Sequence, residues 1–300
     1  MDTEARFDLL RRKIEESDAI VVGGASGMSA ASGFRFYYQD DDVFKRMAGS
    51  LREKYGFRNW FDGFYCPQMT KGEHWALQLR AIKYVYECET GETYTDLAGL
   101  LKGKNYYIVT TNQDAQFYRV FPEERITRLQ GDLRYFQCKA CCHDAIYYNK
   151  DMVMELDERI VNDSLPKSDI PRCPVCGGEM DAWVRSREFL QGDFYRKELQ
   201  RYMDFLQANS RRKTLFLELG VGMMTPMFIK EPFMNMVYQW PHALYVPVNP
   251  QHAIIPKEIA GKSLGINEDI AYTLKRLLGK PVERPNGDGT REIFNPSRIY

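Results

Sequence analysis

The chain reads as an α/β protein: an open, Rossmann-like parallel sheet carrying a helical insertion and an inserted zinc-binding module. Three observations predict this. Five short apolar runs, rich in β-branched and aromatic residues, recur along the 300 residues, and such runs form strands buried on both faces of a sheet. Helical patterns lie between several of them, and strands alternating with helices fold into a parallel sheet with helices on its faces. Two Cys-x-x-Cys pairs, Cys138/Cys141 and Cys173/Cys176, stand outside that rhythm.

The N-terminal "MDTEARFDLLRRKIEES" alternates charges on a helical period over 4–16 and has no apolar core of a signal peptide. "AIVVGG" (19–24) is the first strand. It runs into "VVGGASGMSAASG" (21–33), a turn of glycines and small residues that lets backbone N–H groups approach a pyrophosphate. The turn departs from G-x-G-x-x-G, which disfavours an ordinary dehydrogenase, and it lacks G-K-[ST], which excludes a P-loop. A plain tight turn is the alternative. Residues 36–100 are rich in aromatics and charge and predict a helical insertion over the strand ends, with one helix at 73–88.

"YYIVTTN" (106–112) is the second strand, and "VTTNQD" places Asn112 and Asp114 at its end. Positions i and i+2 share a side if strand geometry continues, so an amide and a carboxylate could grip a carboxamide and ribose hydroxyls. A helix N-cap explains the same residues. "RITRLQ" (125–130) is the third strand and ends at Gln130-Gly131. Residues 136–185 hold the cysteine pairs; four thiolates on two tight turns suit a closed, structural Zn2+ site formed by Cys138, Cys141, Cys173 and Cys176. Cys142 and His143 read as neighbours of that site, Cys66 and Cys88 as core thiols.

A helix is predicted over 193–209. "KTLFLELG" (213–220) is the fourth strand and leads into Gly220, Val221 and Gly222, and "ALYVPVN" (243–249) is the fifth, ending at Asn249. A helix at 267–279 and a turn-rich tail at 286–300 complete the chain. The nucleotide-binding domain is therefore expected to be discontinuous, from 1–35, 101–135 and 186–285.

A formal net charge of zero argues against a nucleic-acid partner. No apolar run approaches the roughly 20 residues of a membrane span. Seven cysteines, an odd number with four in paired spacing, fit a reducing compartment, so the expected location is cytoplasmic.

These residues, in this order, resemble the sirtuins, NAD-dependent enzymes that combine a Rossmann-like domain with a zinc ribbon. "GMSAASG" (27–33) is similar to the family's nucleotide loop, Asn112 and Asp114 match its T-Q-N-I-D motif, and the four knuckle cysteines match its zinc ligands. The resemblance implies an NAD site built from Gly24, Ala25, Ser26, Gly27, Ser29, Arg35, Asn112, Asp114, Gln130, Gly220, Val221, Gly222, Asn249, Pro250 and Ile266. Its catalytic members would be Asn112, Asp114 and Gln130: Asp114 to hold the carboxamide, Asn112 to orient ribose or a water, Gln130 to bond a ribose hydroxyl.

The departures carry the functional reading. Most sirtuins have His-Gly where this chain has Gln130-Gly131. The histidine of deacylating members acts as a base on a ribose hydroxyl; a glutamine amide takes up no proton. None of His74, His143, His242 or His252 falls at an equivalent strand end. "MDAWVRSREF" replaces the stretch against which an acyl-lysine peptide lies, with Arg185 and Arg187 available either to an acidic partner or to solvent. Thr111 replaces the motif's glutamine, and "SGFRFYYQ" lacks the usual P-D-F-R. This combination resembles the macrodomain-linked sirtuins. It implies protein mono-ADP-ribosylation from NAD, with a lipoylated carrier related to the glycine cleavage H protein as substrate and a macrodomain hydrolase as functional partner. Alternatives are an NAD-dependent deacylase, an NAD glycohydrolase and a catalytically silent NAD-binding module.

Overall fold

The computed structural model describes residues 3–35 and 37–283. In chain order these form α1 (Thr3–Glu16), β1 (Ala19–Gly24), α2 (Ser26–Ala31), α3 (Asp42–Ala48), α4 (Leu51–Tyr55), α5 (Trp60–Phe64), α6 (Lys71–Glu87), α7 (Glu92–Leu101), β2 (Tyr106–Thr110) and β3 (Ile126–Arg128). There follow β4 (Gly131–Cys138), β5 (Ile146–Tyr148), α8 (Lys150–Asp157), β6 (Met180–Val184), α9 (Asp193–Asn209), β7 (Thr214–Leu219), α10 (Lys230–Gln239), β8 (Leu244–Val248) and α11 (Ile270–Leu277).

The five apolar runs pair as a parallel sheet in the order β3-β2-β1-β7-β8. Every residue of β1 and β7 is buried, which is why these strands read as unbroken apolar stretches rather than alternating ones. Side chains still alternate between two cores. Ile20, Val22, Ile108, Leu215 and Leu217 pack under α1, α7 and α11. Val21, Tyr107, Val109 and Phe216 pack under α9 and α10. The chain runs from β1 outward to β3, then returns to β7 on the other side. That reversal leaves a crevice at the carboxyl ends beside β1, where open sheets bind ligands.

A second, antiparallel sheet, β5-β4-β6, carries the cysteines. Its core is completed by Trp75, Leu79 and Ile82 of α6, so the helical segment backs the cysteine module directly. α6 begins with a reciprocal capping box between Thr70 and Glu73. α7 instead joins the core of the parallel sheet through Tyr94, Leu97 and Leu101. The third strand is shorter than its apolar run suggests: β3 stops at Arg128, and Leu129 and Gln130 form a turn into β4. Among the described residues no helix is long and apolar enough to cross a membrane. The tail expected at 286–300 lies outside the described residues.

Candidate active site and metal centre

A cleft of about 480 Å³ opens at the carboxyl ends of the parallel strands. Ten of the nucleotide-site candidates line it: Ala25, Ser26, Gly27, Arg35, Asn112, Gln130, Gly220, Gly222, Asn249 and Pro250. The other five, Gly24, Ser29, Asp114, Val221 and Ile266, are buried beneath its floor and walls. Two loops meet there backbone to backbone. Ala25 N–H donates to Leu219 O and Gly27 N–H to Gly220 O, both at 3.1 Å. A Cβ on Gly27 would lie 2.6 Å from Gly220 Cα, and Gly220 itself has φ 67°. Glycine is needed at both positions, so the loops present main chain rather than side chains to the cleft.

Asn249 ties the far wall together. Its Oδ1 accepts from the N–H groups of Gln251 and His252 at 3.0 Å, and its Nδ2 donates to Val221 O at 3.2 Å. Ile266 supports the same turn by accepting from Asn249 N–H at 3.1 Å through its carbonyl. His252 lines the cleft, but it follows β8, at the opposite edge of the sheet from the Gln130 turn. Four strand spacings of about 4.8 Å separate those edges. His74 bonds Phe64 O through Nε2, and His143 contacts Cys142 and Tyr147.

Under the floor, Asn112 Nδ2 faces three oxygens: Ala25 O at 3.0 Å, Ser29 Oγ at 3.0 Å and Tyr94 OH at 3.2 Å. Ser29 Oγ donates to Asp114 Oδ2 and lies 3.1 Å from Tyr94 OH. Burial pushes the Asp114 carboxyl up, with the bonds from Ser29 and Gln116 N–H opposing. Burial, then the Asp114 charge, pushes the Tyr94 hydroxyl far up as well. Tyr94 carried no sequence signal, because it sits within an ordinary amphipathic helix.

Gln130 is half-buried at the apex of its turn, and its backbone is clamped. Its carbonyl accepts from Arg185 N–H at 2.9 Å, and Leu129 O accepts from Arg185 Nε and Nη2 at 3.2 and 3.1 Å. The Arg185 guanidinium also lies 4.6 Å from the Phe189 ring centre and 5.2 Å from that of Phe228. Arg185 is therefore neither a solvated arginine nor an arm reaching for an acidic partner: it is part of the cleft wall. Gly131 has φ 83°, and a Cβ there would lie 2.0 Å from Trp183 O, so the dipeptide's second residue must be glycine. Behind the turn, the fully buried Arg128 pairs with Glu198 and, at 3.1 Å, with Asp132. Burial would raise the Asp132 carboxyl, but Arg134 and Arg128 outweigh it and hold the group below the usual carboxylate range. Nothing in the spacing of these four residues along the chain marks the buried charge network in the sequence.

The metal centre corrects one expectation. The sulfurs that converge, all within 4.8 Å of one another, belong to Cys138, Cys142, Cys173 and Cys176. Cys141 is not among them. Its N–H closes a turn onto Cys138 O at 2.9 Å, its φ is 47°, and its thiol is turned to Glu188 O at 2.9 Å. That left-handed residue swings the predicted ligand outward and the next cysteine inward. The Cys138–Cys176 and Cys142–Cys173 sulfur separations are 3.6 and 3.7 Å. Tetrahedral Zn–S bonds of about 2.3 Å place sulfurs about 3.8 Å apart, so the four thiols fit zinc in a closed, structural site.

No protein-family model matches the chain. It is 32% identical over 294 residues to a protein ADP-ribosyltransferase of Staphylococcus aureus (strain Mu50 / ATCC 700699), covering 96% of this chain and 92% of that one. A probable bifunctional ADP-ribose hydrolase/ADP-ribosyltransferase of Fusarium oxysporum f. sp. cubense is 28% identical over 291 residues, 92% of this chain but 48% of the fungal protein. Among solved structures, a sirtuin studied for the structural basis of substrate affinity superposes with a TM-score of 0.58 at 19% identity, covering 93% of this chain and 99% of its own. A Sir2 homologue solved as its NAD complex gives 0.55 at 16% identity, covering 91% and 92%. The fold is thus that of the sirtuins, and the chain belongs to the sirtuin-type protein ADP-ribosyltransferases.

Proposed function

We propose that the cleft takes NAD and that the enzyme transfers its ADP-ribosyl group to a side chain of a lipoylated carrier protein related to the glycine cleavage H protein. The observation that carries this reading is Gln130. Its backbone is locked, it lines the cleft, and no proton-accepting side chain stands in its place. NAD, when bound, supplies the ADP-ribosyl group and nicotinamide as the leaving group. Main chain at Ala25–Gly27 and Gly220–Gly222 would approach its pyrophosphate, which the side-chain-free contact of the two loops leaves room for. Gln130 would orient a ribose hydroxyl without removing its proton, so the acceptor must bring its own nucleophile. Asn112 would orient the ribose; Asp114, expected to hold the carboxamide, is buried outside the cleft lining and would act from below through Ser29.

Two features support the partner assignment. The rim carries exposed Met223 and Met224, and Tyr65 stands exposed at the same cleft. Adaptable thioethers of this kind suit an apolar arm on the substrate protein. The fungal relative joins an ADP-ribose hydrolase to its transferase in one chain, which supports a macrodomain hydrolase as functional partner. A cytoplasmic setting fits the thiol-rich module.

Incubation with NAD and the lipoylated carrier, followed by intact mass measurement of the carrier, tests the proposal. A gain of one ADP-ribosyl group is expected. An unchanged carrier together with deacetylation of an acetyl-lysine peptide would overturn it, and free ADP-ribose formed equally fast without acceptor would make the enzyme a glycohydrolase. Asn112→Ala is expected to abolish nicotinamide release while leaving NAD binding largely intact, as read by calorimetry.

A further inference from the structure

We infer that Tyr94 of α7 is a positioning residue of the transfer reaction: with Ala25 O and Ser29 it holds the Asn112 amide nitrogen inward, so that Asn112 offers the cleft a carbonyl oxygen. The inference deepens the proposed function and rests on it for the identity of the reaction.

The amide's orientation follows from its neighbours. Ala25 O can only accept a hydrogen bond, so the group 3.0 Å from it must be Nδ2. The same nitrogen faces Ser29 Oγ and Tyr94 OH, so all three oxygens lie on its side. Among the described residues no donor bonds Asn112 Oδ1, while Asn112 lines the cleft. The hydroxyl protons then have one consistent arrangement when Asp114 is ionised. Ser29 spends its only hydrogen on Asp114 Oδ2. The hydrogen of the Tyr94 hydroxyl, 3.1 Å away, must therefore go to Ser29 Oγ, which leaves the Tyr94 oxygen to accept from Asn112.

The consequence is a rule for what Asn112 can contact. An outward Oδ1 accepts: it suits a hydroxyl, an amide N–H or a water, and it repels another carbonyl oxygen. Tyr94 thereby makes α7, a helix outside the nucleotide loops, part of the catalytic apparatus. Its ring is held independently, edge-on to Phe117 at 4.8 Å, so removing the hydroxyl leaves the packing in place.

Tyr94→Phe is expected to lower kcat for nicotinamide release about fivefold to tenfold, with KM for NAD within about twofold. Tyr107→Phe, which deletes another buried tyrosine hydroxyl, bonded to Thr127 at 3.0 Å and away from the cleft lining, controls for a merely structural loss and should leave kcat unchanged. A wild-type kcat in Tyr94→Phe, or equal kcat losses in both variants, would overturn the inference. A second readout does not depend on activity. The Asn112 side-chain NH2 resonances should exchange slowly with water in the wild type and faster in Tyr94→Phe; solvent-like exchange in the wild type would show the amide reversed and sink the idea. If the wild type transfers no ADP-ribose while these resonances behave as expected, the proposed function fails and the inward hold on the Asn112 amide stands.

Discussion

Gln130 shows how a side chain that cannot ionise is still placed with care. Two backbone carbonyls around it are held by one arginine reaching from the neighbouring sheet, Arg185. The backbone that carries the amide is thus fixed by a residue that itself forms part of the cleft wall. If it bonds a ribose hydroxyl, its loss removes one neutral hydrogen bond, worth about 1 kcal/mol or roughly a fivefold change in rate. Gln130→Ala should therefore slow single-turnover nicotinamide release by about fivefold to tenfold, with NAD affinity nearly unchanged. Unchanged turnover would mean that the residue only fills space. Gln130 and Asn112 were legible because both follow apolar strand runs. Tyr94 and Arg128 were not, because a buried polar group is recognisable only by its partners.

At the scale of elements, α6 is the hinge of the architecture: one face completes the core of the cysteine module, and its N-terminus is stapled by Glu73. Burial alone would raise that carboxyl, but Lys54, Thr70 and Tyr55 outweigh it and bring it from 4.5 to about 2. A depressed acid stabilises the folded state above its unfolded value, and the contribution is lost as pH falls through the folded one. Glu73→Gln should therefore cost about 1–2 kcal/mol at neutral pH. The difference from wild type should shrink between about pH 4.5 and pH 2 in urea unfolding series. A pH-independent difference would assign the loss to packing. The capping box Thr70-x-x-Glu73 is a local pattern, and the helix predicted at 73–88 begins close to it, at Lys71. The turn after β3 was less legible, since an apolar run does not reveal where a strand stops pairing.

Across the whole molecule, the metal centre and the cleft share one strand. β4 starts at Gly131, beside Gln130, and ends at Cys138, while β6 runs alongside and leads into Arg185. Loss of metal should loosen both strands and reach the cleft through them. Cys142→Ser is expected to lower bound zinc and nicotinamide release together, whereas Cys141→Ser should keep both, as read by metal content per chain and turnover. The opposite pattern would restore Cys141 as the ligand.

The sequence by itself determined what near neighbours decide: strand and helix periods, the glycine loops, the cysteine-rich module and the absence of a histidine at position 130. Tertiary structure decided which groups meet. Asn112 finds Tyr94, Gly27 finds Gly220, and Arg185 finds Leu129 only when distant segments pack. The choice between Cys141 and Cys142 turned on the left-handed backbone of a single residue. Spacing constrains which thiols can share a turn, but only the turn's conformation decides which one points inward.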